Sequence, residues 1–426
     1  MKLNVFANGK EVGILDEVAS EGSLPDLRFQ YNDDALACDA ISLTMPVRKA
    51  PYIQDRLHPC FDMLLPEGVR RQQIEKLGKL TRIDDFGLLA LVGSNTVGRI
   101  QVSEGHHLDK PITFKHRDVM LCKDGLALFN SLLDKGGFKS GISGVQPKVL
   151  AKIEDPLAVH EEESETCSRT ITSSTDIIKT ANDEFPGLVQ NEYICLHAAR
   201  LANIDVPDHD LSRDGALIVI DRFDIAKDGH HLGFEEMASL LGVSSDKKYE
   251  SSFDLIALEI EDRVNTGEMM HSLKELFKQM AFNILIRNGD THLKNFGLIY
   301  DGDDVQISPA YDLVTTTAYI EDDIPALALS EDNYSKRWWS KKELFAFGSE
   351  HCYLKKKQMK AILKDINTAL LETQPLIDKL MTDHDAFKPI GEKMKTIWSD
   401  VLTDYELTPL TVTEPSVAPS ATGIKP

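Results

Sequence analysis

Apolar residues at Leu273, Leu276, Phe277, Met280, Ala281, Ile284 and Leu285 recur at alternating steps of three and one. That rhythm keeps them on one face of a 3.6-residue period and predicts a buried helix ending near Ile286. Just beyond, Phe296-Gly297-Leu298-Ile299-Tyr300 and Val305-Gln306-Ile307-Ser308 flank Asp301-Gly302-Asp303-Asp304. Two short strands around an Asp-Gly turn are expected there. At the start of the chain, Leu3 to Leu15 predicts another pair of strands, joined at Asn8-Gly9. Further extended chain is expected in Leu27-Arg28-Phe29-Gln30-Tyr31 and Ala40-Ile41-Ser42-Leu43-Thr44. Pro66 and Glu67 suit the first turn of a helix. Thr175–Thr180 reads as a short strand ending in Lys179, residues 188–201 as a helix, and Ala216–Asp224 as an apolar strand ending in charge. From about residue 232 the pattern is largely helical. A β-rich first part followed by a helical second part is an α+β arrangement.

Composition narrows the function classes. A chain of 426 residues with net charge −21 is long enough for two or three domains and too acidic to coat nucleic acid unaided. No apolar run reaches the ~18 residues of a membrane span, and Met1–Phe6 lacks a signal-peptide core. A cytoplasmic protein with no membrane partner is expected. Cysteines at 38, 60, 122, 167, 195 and 352 form no Cys-x-x-Cys pair, so reduced, mostly buried, structural thiols are expected. The acidic stretch between Glu154 and Thr166 reads as a solvated loop, and the Pro-, Ser- and Thr-rich residues 408–426 as a disordered tail.

The stretch Asn288-Gly289-Asp290-Thr291-His292-Leu293-Lys294-Asn295 carries the chemistry. Asp290 and Asn295 have the Asp-x-x-x-x-Asn spacing of a kinase catalytic loop, in which Asp accepts a hydroxyl proton and Asn holds a metal ion. The hairpin after Asn295 returns the chain to Asp312, so two hard oxygen ligands can converge on Mg²⁺. Upstream, Lys179 on a strand precedes Glu192 on a helix, the order of the kinase pair that grips nucleotide phosphates. The glycine-punctuated Lys139–Lys148 could bring backbone amides to an anion or serve as an inter-domain loop. Asp85-Phe86-Gly87 lies far upstream of the catalytic loop and reads as a helix start with core residues. Trp338-Trp339, flanked by Lys336, Arg337, Lys341 and Lys342, suits either a helix start anchored in the core or a contact with DNA or a partner. A protein kinase, a small-molecule phosphotransferase resembling the antibiotic kinases, and an inactive kinase-like co-repressor all remain open on these residues.

Taken in order, Leu64-Leu65-Pro66-Glu67-Gly68, Ser143-Gly144-Val145-Gln146-Pro147-Lys148, Ile177-Ile178-Lys179, Asn191-Glu192-Tyr193, Asp221-Arg222-Phe223-Asp224, Lys248-Tyr249-Glu250, Gly289–Phe296 and Tyr311-Asp312 resemble the bacterial HipA family of serine/threonine toxin kinases. The resemblance runs from residue 1 to about 405. It implies a protein-kinase-like two-lobed α+β fold with an extra N-terminal β-rich subdomain, expected here as residues 1–135. Residues 136–228 would then form the small lobe, 229–407 the helical large lobe and 408–426 the tail. The resemblance also implies ATP and Mg²⁺. Asp290 would be the catalytic base, and Asn295 and Asp312 the metal ligands. Lys179 would hold the nucleotide phosphates, His292, Lys294, Asn295 and Asp312 would also belong to the cofactor site, and Asp221 to Phe223 would meet the adenine. Partners implied are a dimeric HipB-type helix-turn-helix antitoxin, operator DNA through that complex, and a protein substrate such as an aminoacyl-tRNA synthetase. The family often phosphorylates itself in a Ser-x-Ser-Gly loop. Here the first serine is replaced by Gly141, leaving Ser143 and Ser140 as candidate acceptors.

Overall fold

The computed structural model describes residues 1–19, 25–68, 71, 74, 84–108, 112–135, 140–142, 146–154, 175–181 and 184–410. The expected acidic loop lies almost wholly outside these residues, as does Ser143.

The chain opens with the strands Lys2–Ala7 and Lys10–Val18, turning at Asn8 (φ 51°) and Gly9 (φ 76°). Two successive left-handed residues match the twist of a tight hairpin, which is why an Asn-Gly pair occupies them. These strands pair with Asp26–Tyr31 and Ile100–Ser103, and Tyr52–Gln54 completes a five-stranded antiparallel sheet. Leu3, Val5, Val12, Leu15 and Phe29 pack from it onto Phe61, Phe86, Leu88 and Leu89. Asp84 caps the helix Asp85–Val92 by accepting from the Gly87 amide at 2.7 Å, so Asp85-Phe86-Gly87 is a helix start with a core phenylalanine. Ala40–Thr44 does not form the expected strand. A 3₁₀ turn at Ala37–Asp39 precedes it, and its polar groups bond elsewhere: the Ile41 amide to the Tyr31 hydroxyl, the Leu43 amide and Ser42 hydroxyl to Glu235.

A second five-stranded sheet runs in the order His209–Leu211, Leu217–Asp221, Asp176–Thr180, Lys148–Glu154, Thr113–Lys115. Side chains alternate across a strand, so Ile178 faces one way and Lys179 the other. Val149, Ala151, Ile178, Leu217 and Val219 meet Phe129 and Leu132 of the helix Gly125–Asp134. Val119, Phe129 and Leu132 therefore pack into the core of this second sheet, and the first sheet's last strand ends at Ser103. Ile218 and Ile220, on the opposite face, join the large core that also holds Ile194 and Cys195 of the helix Leu188–Leu201.

That large core is built on the helix Thr266–Leu285, whose Leu273, Leu276, Phe277 and Met280 are fully buried. The hairpin Gly297–Asp301 and Asp304–Ile307 lies on it, with Asp301 facing Asp304 across the turn, and Gly233–Glu236 adds a third strand. Helices Lys341–Glu350, Lys356–Asp383 and Lys388–Asp404 close the lobe. Trp339 is buried edge-on against Phe253, while Trp338 carries the Arg287 guanidinium on its ring, so the tryptophan pair is anchored in the large lobe. Thr408, expected in the tail, exchanges hydrogen bonds with Asn367, and Leu410 is buried. Residues 411–426 lie outside the described chain. No helix of the described residues is long and apolar enough to cross a membrane.

One buried carboxylate ties the first sheet to the rest. Glu235, fully buried, accepts from Ser42 Oγ at 2.8 Å, the Leu43 amide at 2.6 Å, Tyr300 Oη at 3.0 Å and Ser239 Oγ at 3.2 Å. We predict that Glu235→Leu, which strands these donors without water, destabilises the protein by ~2–4 kcal/mol in urea unfolding. A loss under ~0.5 kcal/mol, the range of a neutral surface change, would contradict this account.

Candidate functional site

The helix Thr266–Leu285 ends where Arg287 takes a left-handed φ of 57°, which reverses the chain. Asn288 then locks the reversal. Its amide donates to the Asn283 carbonyl at 2.9 Å, its Nδ2 to Asn283 Oδ1 at 2.8 Å, and its Oδ1 accepts from the Asp290 amide at 3.3 Å. Gly289 fits because a Cβ there would fall 2.1 Å from Asp323 Oδ2. A short 3₁₀ turn, Leu293–Asn295, follows, with Asn295 Oδ1 accepting from the His292 amide at 3.0 Å. The loop is thus fixed by its own polar side chains, as Asn, Asp and Gly permit.

Asp312, beyond the hairpin, lines the same cleft as Asn295 in a left-handed conformation (φ 52°), with its carbonyl accepting from Asn288 Nδ2 at 3.3 Å. Asp312 binds the Lys179 ammonium, and Lys148 approaches its other oxygen at 3.8 Å. Lys179 also holds Glu192 Oε1 at 2.5 Å. The strand lysine, the helix glutamate and the post-hairpin aspartate therefore converge on one buried ammonium. Burial opposes the charge on Lys179, but Asp312 and Glu192 outweigh it and raise its pKa. Burial likewise pushes Asp312 up, yet Lys148 and Lys179 prevail and hold it well below the usual carboxylate range. Glu192 moves the other way. Complete burial raises its pKa against the pull of Lys179, and its Oε2 has no hydrogen-bond partner.

Asp290 stands on the cleft wall with 57% of its side chain open. Tyr249 Oη donates to its Oδ1 at 3.2 Å, and the Tyr249 ring meets His292 edge-on. Although more than half of the side chain is open, desolvation by the surrounding cleft walls raises the Asp290 pKa to about 6, against the opposing influence of Lys248 and the Tyr249 hydrogen bond. His292 is driven down to about 3 by burial and then Lys248, so its imidazole is neutral, with Nδ1 accepting from the Lys294 amide at 3.3 Å.

Asp290, His292, Lys294, Asn295, Asp312, Lys179, Asp221 and Phe223 all line one cleft of about 580 Å³. Phe223 packs with Phe234 and Tyr311, ring centroids 5.2 and 5.8 Å away, to form an aromatic wall. The Asp221 and Arg222 amides are taken up by the carbonyls of Asp208 and Thr175. The Asp221 carboxyl is raised to about 6 by burial and by Asp176, Asp208 and Asp210. Ser140 lies on the short strand Ser140–Gly141, paired with Asn95–Thr96.

Sequence reasoning assigned no role to Lys148, Glu67, Glu236, Lys248 or Tyr249, although Glu67, Lys148 and Lys248-Tyr249 sit within stretches that carry the family resemblance. Lys294 shows why they matter: its ammonium binds Glu67 Oε1 at 2.5 Å and lies 3.5 Å from Glu236. Among the described residues no cluster of three or more His, Cys, Asp or Glu could hold a metal ion. Asn295 and Asp312 offer hard oxygens to a divalent cation whose remaining ligands would be water and phosphate.

The architecture is a protein-kinase-like α+β fold extended by an N-terminal β-rich subdomain. The chain belongs to the HipA family: residues 140–373 match the HipA-like C-terminal domain and residues 3–103 the HipA N-terminal domain. It is 28% identical over 339 residues to the Sinorhizobium fredii protein named "Putative kinase Y4mE", covering 74% of this chain and 78% of that one. It is 27% identical over 297 residues to the serine/threonine-protein kinase toxin HipA of Shewanella oneidensis, covering 63% and 65% respectively. The same fold appears in the Shewanella oneidensis HipA, HipB and operator DNA complex, with TM-score 0.66 at 17% identity, over 95% of this chain and 98% of that one.

A raised folded-state pKa means that ionised Asp290 is carried at a cost to stability. The cost is absent below the ordinary value of 3.8, grows from there to about pH 6, and is full above. Asp290→Asn should therefore raise the melting temperature at pH 7.5, and the gain should vanish below pH 4. An equal gain at both pH values would exclude titration as its source.

Proposed function

We propose that this protein is an ATP- and Mg²⁺-dependent serine/threonine protein kinase acting as the toxin of a toxin–antitoxin pair. The observation that carries the reading is the convergence of Glu192 and Asp312 on Lys179, in the cleft that Asp290 also lines. In the reaction, an acceptor serine oxygen bonds to the γ-phosphorus as the bond to the ADP oxygen breaks, and Asp290 takes the serine proton. Asn295 and Asp312 would hold Mg²⁺, which would neutralise charge on the phosphates. Lys179, with Lys148 close by, orients those phosphates, and Phe223, Phe234 and Tyr311 offer an aromatic face to the base.

The target is a protein of translation, such as an aminoacyl-tRNA synthetase. Neutralisation comes from a dimeric HipB-type helix-turn-helix antitoxin, with which the kinase co-represses its operon. Support comes from the fold shared with a chain solved together with HipB and operator DNA. A net charge of −21 favours DNA contact through the antitoxin. Self-phosphorylation falls to Ser140 or Ser143. A Cβ at Gly141 would lie 2.7 Å from Thr96 Cγ2 and 3.0 Å from the Val92 carbonyl, so no serine fits there in this conformation.

Intact-mass analysis after incubation with ATP and Mg²⁺ tests this reading. Wild type should gain phosphate on Ser140 or Ser143, while Asp290→Gln should lose ~10²–10⁴ in rate. Equal phosphate gain in both would sink the assignment. Turnover should rise with pH through about 6, because the base works deprotonated. Tyr249→Phe, which removes a hydrogen bond to the carboxylate, should move that limb to higher pH. A limb that stays in place would separate Tyr249 from the base.

A further inference from the structure

The carboxylate of Glu67 makes a bridge that neither the catalytic loop nor the nucleotide cleft requires by itself. One oxygen binds Lys294 Nζ at 2.5 Å and the other binds Lys248 Nζ at 2.7 Å. Both lysines line the cleft, with 3% and 7% of their side chains exposed, whereas Glu67 stands behind them and outside the lining. Two buried ammonium groups this close repel strongly in a medium of low dielectric, and a shared carboxylate converts that repulsion into a fixed pair. Glu236 lies 3.5 Å from Lys294, and Ser245 Oγ accepts from Lys294 Nζ at 3.3 Å. The bridge has a backbone counterpart, since the Leu293 amide of the catalytic loop donates to the Lys248 carbonyl at 3.1 Å. Lys248 is followed by Tyr249, whose hydroxyl reaches Asp290. Glu67 belongs to the N-terminal part of the chain, and nearby Asp62 accepts from both the amide and the hydroxyl of Ser245, at 2.9 and 2.8 Å.

We propose that Glu67 is a positioning residue of the phosphoryl-transfer site: by bridging Lys248 and Lys294 it sets the catalytic loop in place, making turnover dependent on the N-terminal subdomain. This rests on the kinase reading above. Its consequence is a division of labour. Glu67 adds negative charge behind the cleft, so it contributes nothing to phosphate attraction, yet without it the two ammonium groups separate and the loop bearing Asp290 shifts.

The test uses full-length protein with Mg²⁺ and ATP, measuring ADP release, ATP affinity and melting temperature. Glu67→Gln keeps the shape and removes the charge. Turnover should fall ~10- to 100-fold, the cost of a misplaced catalytic group, while ATP affinity stays within ~3-fold of wild type or tightens. Asp62→Ala opens the same interface and leaves both Glu67 ion pairs in place, removing only a more distant charge from Lys294, and should keep most of the turnover. Unchanged turnover in Glu67→Gln overturns the inference, as does an equal loss in Asp62→Ala, or a joint loss of affinity, turnover and melting temperature. If Glu67→Gln does not fold, Lys248→Met breaks the bridge from its other side, and full turnover in that variant contradicts the proposal. No ADP release from the wild type removes the kinase reading and this inference together, whereas normal wild-type turnover with an unaffected Glu67→Gln removes the inference alone.

Discussion

Burying an ammonium group costs several kcal/mol in lost hydration, and Lys179 recovers that cost by taking a carboxylate from each side, Glu192 from a helix and Asp312 from the loop beyond the hairpin. Much of the architecture can be read as support for that contact. The strand Asp176–Thr180 is central in its sheet, flanked by Leu217–Asp221 and Lys148–Glu154, so Lys179 cannot slip in register without turning Ile178 out of its core. The helix Leu188–Leu201 is held to the loop after Asp312 by a reciprocal pair, Asn191 Oδ1 accepting from the Thr315 amide at 2.9 Å and Nδ2 donating to its carbonyl at 3.2 Å. Trp398, fully buried, donates to Thr315 Oγ1 at 2.9 Å and so links the last helix to the same point.

The charges around the cleft are arranged to keep opposite tendencies apart. Asp312 is held ionised by two lysines, which suits a metal ligand, while Asp290 is raised to about 6 by desolvation and, less, by Asp312 and Asp323, which suits a base that must accept a proton near neutrality. Lys179 balances two carboxylates in the structure as it stands, and a divalent cation on Asp312 would leave that lysine free for phosphate. The strand that carries Lys179 and the segment that carries Asp312 are therefore coupled through charge as well as through packing.

Much of the local structure was legible from the chain. The Asn8-Gly9 hairpin, the stripe on Thr266–Leu285, the helix Leu188–Leu201, the helix start at Asp85 and the Asp-Gly hairpin after Asn295 each depend on residues a few positions apart, where propensity and period act directly. Ala40–Thr44 failed as a strand because its amide and hydroxyl donors are claimed by Tyr31 and Glu235, and Glu235 lies 192 positions from Leu43.

For the site, the sequence by itself determined the identities and spacing of Lys179, Glu192, Asp290, Asn295 and Asp312, because the loop, strand and helix signals that carry them are local. Tertiary structure alone decided what those groups face. Lys179 meets Asp312 across 133 positions, Lys248 meets Glu67 across 181 and Lys294 meets Glu67 across 227. Such pairings depend on how sheets and helices pack, and the pKa of each group depends on the burial and the charges that packing supplies. That is why Glu67, a residue in an ordinary-looking helix start, emerged as the partner of two cleft lysines only once the chain was folded.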